Sequence, residues 1–323
     1  MQIDPYVFTD EAVSDETREF NAELQNLLRA MPATSSLPPD ETRRARREGR
    51  GVFPPPIYSE HARDVVIDGP AGDLTLRIHD VPDPKGVYVH VHGGGWVLGA
   101  ADLSDVSNEV MAEVAQVSVV SIDYRLAPEN KFPAGFDDCV AGATWVIENA
   151  MTQFGTDRLT IGGESAGANL AAATLLATRD AGYSGWLGAN LVYGSYLPTG
   201  SPSVHEWDTT GLVLDPDTMF WFGNNYFGNV DVEFRDPRLS PLYGSLTGMP
   251  PALFTVGTLD PLLDDTLFMA MRWLAAGCDP ELKIYPGGIH AFDAFPISIG
   301  IEARARMHAF IRDAVVESSG EIE

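Results

Sequence analysis

The sequence predicts an α/β protein in which helices cover both faces of a mostly parallel sheet. Short apolar runs alternate with helical segments along most of the chain, which is the pattern of buried parallel strands joined by helical crossovers. The runs occupy residues 65–67, 74–78, 87–91, 117–122, 159–162, 189–193, 252–256 and 282–285. The first two runs flank the turn residues Gly69-Pro70-Ala71-Gly72 and therefore predict an antiparallel hairpin at one end of the sheet.

Two segments differ from this alternating pattern. Residues 5–50 are polar and helical, with an apolar face formed by Phe20, Leu24, Leu27, Leu28 and Met31. Residues 196–235 are rich in aromatic and turn residues without a strand pattern, which is more typical of an inserted lid than of a connector. The first segment also contains an arginine cluster, for which we predict a solvated helix face. The cluster comprises Arg43, Arg44, Arg46, Arg47 and Arg50.

The composition excludes several classes of function. The chain has 323 residues and a formal net charge of −25, which argues against binding to nucleic acid or to an anionic membrane. No apolar stretch approaches the ~20 residues that span a bilayer, and the first residues lack the pattern of a signal peptide. Cys139 and Cys278 are expected to be free thiols. These features predict a cytoplasmic location.

The pentapeptide Gly163-Glu164-Ser165-Ala166-Gly167 carries the strongest functional signal. It lies between the apolar run 159–162 and an Ala/Leu-rich helical stretch, so Ser165 is predicted at a sharp strand-to-helix corner. This is the G-x-S-x-G nucleophile elbow, in which the serine hydroxyl is exposed above a sheet. A structural turn is the alternative, because the bare pentapeptide also occurs by chance. The strand–turn–helix context favours the catalytic interpretation.

A serine nucleophile needs a base, and in hydrolases of this kind the base is a histidine late in the chain. His290 lies in a glycine-rich loop directly after the apolar run 282–285. His308 lies in a helical segment and is expected on its surface or in packing. His290 is therefore the predicted base.

The acid that orients the base should follow a strand between the serine and the histidine. Asp260 ends the run 252–256 and is the predicted acid. Asp264 and Asp265 fall in the first turn of the next helix, where carboxylates interact favourably with the helix dipole. We therefore interpret both as helix-start residues and not as the catalytic acid.

Donors for an oxyanion are predicted from His92-Gly93-Gly94-Gly95-Trp96, directly after the apolar run 87–91. Successive glycines allow the backbone to turn its N–H groups towards a substrate oxygen. A phosphate-binding loop is the alternative, but it would require a Lys or a G-x-G-x-x-G spacing, and neither is present. Ala166, which follows the serine, should supply a further N–H group. His92 is expected to hold the loop.

Taken together, the motifs resemble those of the hormone-sensitive lipase family of α/β-hydrolases, in its bacterial carboxylesterase branch. Besides the serine and glycine motifs, the matching stretches are Asp123-Tyr124-Arg125-Leu126-Ala127-Pro128-Glu129, Phe132-Pro133-Ala134, Asp260-Pro261-Leu262 and His290-Ala291-Phe292. The resemblance implies an α/β-hydrolase fold, with a mostly parallel central sheet flanked by helices and a helical cap. Residues 1–50 and 196–235 would form that cap, and residues 51–195 and 236–323 would form the catalytic domain.

The resemblance also implies roles for individual residues. Ser165 would be the nucleophile, Asp260 and His290 its partners, and the oxyanion donors would be Gly94, Gly95 and Ala166, with Gly93 as a neighbouring contributor. The predicted substrate pocket contains the aromatic residues Trp96, Trp221 and Phe222. Two residues differ from the usual family pattern: Glu164 replaces an Asp, and Ala291 replaces a Gly.

The sequence therefore predicts a carboxylic ester hydrolase that needs neither cofactor nor metal and acts on small-molecule esters with short acyl chains. Amide or formamide hydrolysis, or deacetylation of a metabolite, by the same machinery is an alternative. A non-catalytic ligand receptor is a second alternative, since plant hormone receptors of similar sequence bind ligands without turnover. Those receptors lack the histidine that this chain has at position 290. A homodimer is compatible with the sequence.

Overall fold

The computed structural model describes residues 2–207, 212–228 and 231–317. Its central feature is an eight-stranded sheet in the order β1-β2-β4-β3-β5-β6-β7-β8. Strand β2 is antiparallel to both of its neighbours, and all the other pairings are parallel. The strands are β1 Arg63–Gly69, β2 Gly72–His79, β3 Val87–Val91, β4 Ser118–Ile122, β5 Leu159–Glu164, β6 Trp186–Val192, β7 Ala252–Leu259 and β8 Pro280–Ile289.

Helices cover both faces of this sheet and enclose two apolar cores. Alternate residues of a strand enter different cores, so that Val89 of β3 faces one and Tyr88 faces the other. Helices α4, α5 and α8 contribute to the first core, and α1, α3 and α9 to the second. The helices are α1 Asp15–Arg29, α2 Pro39–Arg47, α3 Asp105–Ala115, α4 Ala134–Phe154, α5 Ala166–Asp180, α6 Pro202–His205, α7 Pro216–Tyr226, α8 Leu263–Ala275 and α9 Ser298–Glu317.

The predicted fold class is confirmed, and so is the hairpin. β1 and β2 pair in the register Val66 to Thr75, with residues 69–72 closing the turn. In the N-terminal segment, the predicted apolar face is only partly buried: Leu24 is 6% exposed, whereas Leu27 is 50% exposed. Among the described helices, none is both long and apolar enough to cross a membrane.

The segment 196–235 contains helices α6 and α7 and no strand in its described part, as its sequence pattern predicts. Residues 208–211 and 229–230 of this segment lie outside the described residues. Helix α7 begins at Pro216, and the side chain of Asp215 caps it by accepting a hydrogen bond from the Thr218 N–H. This helix packs close to the loop after β3, where the predicted oxyanion donors lie.

Candidate active site

Ser165 occupies a strained corner between β5 and α5, with φ 58° and ψ −120°. The backbone of Val91 in β3 closes off both sides of this corner. A Cβ atom on Gly163 would lie 2.1 Å from the Val91 carbonyl oxygen, and one on Gly167 would lie 2.0 Å from the same atom. Only glycine fits at either position, because real Cβ atoms do not approach so closely. The two glycines therefore allow β5 and α5 to pack tightly against β3 and hold the serine in place.

The structure brings the three side chains selected from the sequence together. His290 Nε2 lies 3.0 Å from Ser165 Oγ, and His290 Nδ1 lies 2.9 Å from Asp260 Oδ2. Asp260 is fully buried, and its other oxygen accepts a hydrogen bond from the Leu262 N–H at 2.9 Å. The ring of Tyr193 packs edge-on against His290, with 4.7 Å between the ring centroids. An Nδ1–H bound to the carboxylate leaves Nε2 as an acceptor for the serine hydroxyl proton.

As predicted, Asp264 and Asp265 lie in the first turn of α8, but the structure also gives Asp265 distant partners. Its side chain is fully buried, and Oδ1 accepts hydrogen bonds from the N–H groups of Tyr196 and Leu197 at 2.7 and 2.8 Å. Asp264 accepts from the Ser203 N–H at 2.8 Å. These two carboxylates therefore anchor the beginning of the segment 196–235. A pair of acids at a helix start carries no sequence signal for such distant backbone partners.

The loop after β3 presents backbone N–H groups beside Ser165. Gly94 has φ 120° and Gly95 φ 62°, conformations that favour glycine, and a Cβ on Gly94 would lie 2.2 Å from the Leu98 carbonyl oxygen. Among the described residues, no intramolecular acceptor binds the N–H of Gly94, Gly95 or Ala166. These three N–H groups therefore remain available to a substrate oxygen.

Gly93 requires a correction, because its N–H is already used. It donates to Glu164 Oε1 at 2.6 Å, so this group is not free to bind an oxyanion. Glu164 Oε2 lies 3.0 Å from His90 Nε2. Burial opposes ionisation of Glu164, but the His90 ring and the Gly93 N–H outweigh it, and the pKa of Glu164 lies below its usual range. The carboxylate thus ties the glycine loop to the strand that carries Ser165.

His90 is a site residue that the sequence analysis missed. It is buried in β3, with its Nδ1 2.9 Å from Ser121 Oγ and 3.2 Å from Asn108 Nδ2. A histidine within an apolar run gives no sign of its partners, which come from β4, α3 and β5. His92 holds the loop as expected: its ring stacks on Tyr124 with 4.2 Å between centroids, and Tyr124 Oη donates to the His92 carbonyl oxygen at 2.9 Å. Burial lowers the pKa of His92.

The arginine cluster agrees with its prediction only in part: Arg44, Arg47 and Arg50 are exposed, whereas Arg43 and Arg46 are partly buried. Arg43 does not lie on a solvated face: its Nε donates to the Val97 carbonyl oxygen at 2.8 Å, and its Nη2 to the Ala127 carbonyl oxygen at 2.6 Å. The same guanidinium binds both carboxylate oxygens of Glu129. Helix α2 is thereby fixed to the loop that supplies Gly94 and Gly95. The sequence shows the arginine but not its backbone acceptors, which lie more than 50 residues away.

A cavity of about 1320 Å³ contains the candidate site, and Ser165 and His290 are among its lining residues. Phe222 of α7 lines it and lies against the glycine loop, where a Cβ on Gly95 would be 2.2 Å from the Phe222 ring. Trp96 also lines it and stacks on Tyr226 with 4.7 Å between centroids. Trp221 does not line it, which corrects the third predicted pocket residue.

Metal ligation has no candidate group in the part of the chain described here. No cluster of three or more His, Cys, Asp or Glu side chains in it could hold an ion. The groups gathered around Ser165 are instead a hydroxyl, an imidazole, a carboxylate and free backbone N–H donors. This set of groups is suited to acyl transfer.

Comparison with known proteins identifies the family to which this chain belongs. A family model described as an alpha/beta hydrolase fold matches residues 88–294. Carboxylic ester hydrolase LipN of Mycobacterium tuberculosis is 36% identical over 255 residues, which is 75% of this chain and 66% of LipN. Carboxylesterase NlhH of the same species is 35% identical over 264 residues, covering 78% of this chain and 82% of NlhH.

The solved structures agree with the sequence relatives. An esterase of Pyrobaculum calidifontis superposes with a TM-score of 0.81 at 31% identity, covering 91% of this chain and 98% of the other. The chain therefore belongs to the α/β-hydrolase family, and its resemblance to the hormone-sensitive lipase branch is confirmed.

Proposed function

We propose that this protein is a serine carboxylesterase that hydrolyses short-chain carboxylic acid esters. The observation that supports it most strongly is the hydrogen-bonded series from Ser165 through His290 to Asp260, beside the N–H groups of Gly94, Gly95 and Ala166, for which the described part of the chain has no acceptor. Relatives named as ester hydrolases support the same class of reaction. A cytoplasmic location and a homodimer remain predictions from the sequence.

In the proposed reaction, Ser165 Oγ attacks the ester carbonyl carbon while His290 Nε2 accepts the hydroxyl proton. The N–H groups of Gly94, Gly95 and Ala166 bind the oxyanion that develops on the carbonyl oxygen. His290 then gives the proton to the leaving alcohol, and an acyl-enzyme remains. Water, activated by the same imidazole, releases the acid.

Asp260 has a separate role in this scheme. Its carboxylate holds Nδ1–H of His290, so that the other ring nitrogen faces the serine, and it stabilises the imidazolium that forms. Because Asp260 is fully buried, its charge acts on the ring without competition from bulk water.

The decisive variant is Ser165→Ala. It should lower kcat for a simple aryl ester by at least ~10³-fold, because the members of a catalytic triad act as a unit. The melting temperature and the circular dichroism spectrum should stay unchanged, since among the described residues the serine hydroxyl is hydrogen-bonded only to His290. Retention of more than a few per cent of the activity would contradict the mechanism.

We also propose that residues 1–50 and 196–235 act as a cap that limits the acyl chain. Phe222 narrows the cavity at the glycine loop, so an acyl chain must fit beside its ring. Each buried CH₂ favours binding by ~0.8 kcal/mol until the space is full, after which overpacking costs ~1–3 kcal/mol. In a series of p-nitrophenyl esters, kcat/KM should therefore be highest for acyl chains of roughly two to six carbons.

Phe222→Ala tests the cap directly and should move the optimum to longer chains. Trp221→Ala is the matched control, since this neighbouring residue does not line the cavity. A wild-type preference for acyl chains of about twelve carbons or more would overturn the short-chain proposal, because it would mean that the cap does not limit the acyl chain.

A further inference from the structure

Among the described residues, the Arg46 side chain in the active-site cavity has neither a counter-charge nor a hydrogen-bond acceptor. Arg46 of α2 lines the same cavity as Ser165 and His290. Within the described residues, the Arg46 side chain makes no hydrogen bond or ion pair. Its guanidinium lies over the ring of Phe53, 5.8 Å from the ring centroid. Phe53 in turn stacks on Phe295, five residues beyond the histidine.

Three of the four neighbouring arginines of this cluster form ion pairs, and the fourth, Arg44, is exposed to solvent. Arg43 binds Glu129, Arg47 binds Asp102, and Arg50 binds Glu48. Their carboxylate partners, Glu129, Asp102 and Glu48, belong to residues outside α2. Arg46 is half-buried and lines the cavity, although the chain has 46 acidic residues that could pair with it. An unpaired cation in such a place costs stability unless a ligand offsets it.

The arginine remains a cation under ordinary conditions. Burial lowers the pKa of Arg46 to about 10, still well above neutral pH. Contact with the Phe53 ring supplies a cation–π attraction, but it satisfies none of the five N–H donors.

The other charges around the cavity are already engaged. Among its described lining residues, the acids are Glu164, which binds His90 and Gly93, and Asp293, which accepts a hydrogen bond from Tyr193 Oη at 2.6 Å. Arg304 donates to the backbone carbonyl oxygens of residues 293 and 295. A protein of net charge −25 thus has a cavity with more arginines than carboxylates.

We propose that Arg46 binds an anionic group of the substrate, so that the preferred esters carry a carboxylate at the end remote from the reacting carbonyl. The proposal rests on the ester hydrolase function. A guanidinium has the planar pair of donors that a carboxylate accepts in two parallel hydrogen bonds. This interaction would make Arg46 a specificity-determining residue for the proposed reaction.

The test compares charged and neutral esters of matched shape. For a carboxylate on the acyl side, monoethyl adipate is compared with ethyl methyl adipate. For one on the alcohol side, 4-carboxyphenyl butyrate is compared with its methyl ester. The measured quantity is the ratio of kcat/KM for the anionic ester to that for the neutral ester.

Arg46→Gln should lower this ratio at least about tenfold for one of the two pairs, as loss of a charge-assisted hydrogen bond does, and leave hydrolysis of the neutral esters within about threefold. Arg46→Lys should keep a large part of the ratio because it keeps the charge. Arg44→Gln is the matched control on the same helix, since Arg44 is exposed and does not line the cavity. It should leave both ratios unchanged.

The proposal would be overturned if Arg46→Gln had the same ratio as the wild type for both pairs. It would also be overturned if kcat/KM fell equally for the charged and the neutral esters. Hydrolysis of the neutral esters by the wild type reports separately on the proposed function. Binding provides an independent measurement without turnover: for the pair whose ratio falls, Ser165→Ala protein should bind the anionic ester at least about tenfold more tightly than the double variant with Arg46→Gln. Equal binding would also overturn the proposal.

Discussion

The edge of the sheet that holds Ser165 and the segments that cover it are stabilised in different ways. At the edge, backbone packs directly on backbone, as where the Val91 carbonyl oxygen excludes any side chain at Gly163 and Gly167. The covering segments depend on single side chains that bind distant backbone groups. Arg43 reaches Val97 across 54 residues of sequence, and Asp265 reaches Tyr196 across 69.

Because the two regions are stabilised differently, carboxylates in them have different roles despite their similar chemistry. In the proposed mechanism, a carboxylate at the edge, such as Asp260, supports the reaction, and a histidine is its main partner. A carboxylate under the cover, such as Asp265, supports the fold and has backbone N–H groups as partners. We expect mutations at the edge to change rates with little change in stability, and mutations of the anchors to do the opposite.

The largest effect is expected for Asp260→Asn. It should lower kcat by about 10⁴-fold, as the equivalent change does in a serine protease, because the ring loses the anion that orients it. The asparagine can still accept the Leu262 N–H, so the protein should fold. Asp265→Asn, five residues away, is the matched control and should keep kcat within a few-fold. A larger loss of activity in Asp265→Asn would reverse the two assignments.

Glu164→Ala should have the next largest effect on rate. It frees the Gly93 N–H and removes the tie between the glycine loop and β5. Misplacement of the oxyanion donors by about 1 Å can cost ~10²-fold, and we expect a fall of up to this size in kcat with little change in KM. Glu164→Gln keeps a carbonyl oxygen for Gly93 and should restore most of the rate. A uniform loss in both variants would show that charge, and not the loop contact, is essential.

Asp265 should make the stability of the fold depend on pH. Burial raises its pKa to about 7, against the hydrogen bonds that favour the ionised form. The folded protein thus holds a proton that the unfolded chain loses near pH ~3.9. The stabilisation from this proton is fully present below that pH and is lost as the pH rises towards 7.

Asp265→Asn removes this dependence, because an amide does not titrate there. Between pH 4 and 8, the free energy of unfolding of the variant should therefore rise relative to that of the wild type, by on the order of 3 kcal/mol. Urea unfolding of both proteins at several pH values measures the difference. A constant difference across this range would show that Asp265 does not titrate in it.

The smallest effect is expected at Ala291, directly after the histidine. Its φ of 62° lies in the left-handed region, where a Cβ is unfavourable, and this explains why the family usually has glycine there. Ala291→Gly should relieve that strain and stabilise the protein by about 1 kcal/mol or less, since glycine also gains entropy in the unfolded chain. Activity should change little. A clear loss of stability would mean that the methyl group contributes more through packing than it costs through strain.

Much of the edge could be predicted from the sequence because each part is a short contiguous motif. The elbow around Ser165 and the glycines after β3 have local patterns, and chain order then selects Asp260 and His290. The same reasoning failed for Gly93, whose N–H the structure assigns to Glu164. It also failed for Trp221, because the pattern of aromatics in α7 does not show which side of the helix faces the cavity.

The sequence by itself determined the α/β class, the strands and the residues that meet at the carboxyl edge, since hydrophobic period and glycine spacing are local properties of a chain. Only the tertiary structure decided the partners of Arg43, His90, Asp264 and Asp265, and left Arg46 without one among the described residues. Hydrogen-bond partners depend on which surfaces meet in three dimensions. Polar side chains of the same type can therefore be solvated, anchoring or ligand-binding, and their sequence neighbours do not distinguish these roles.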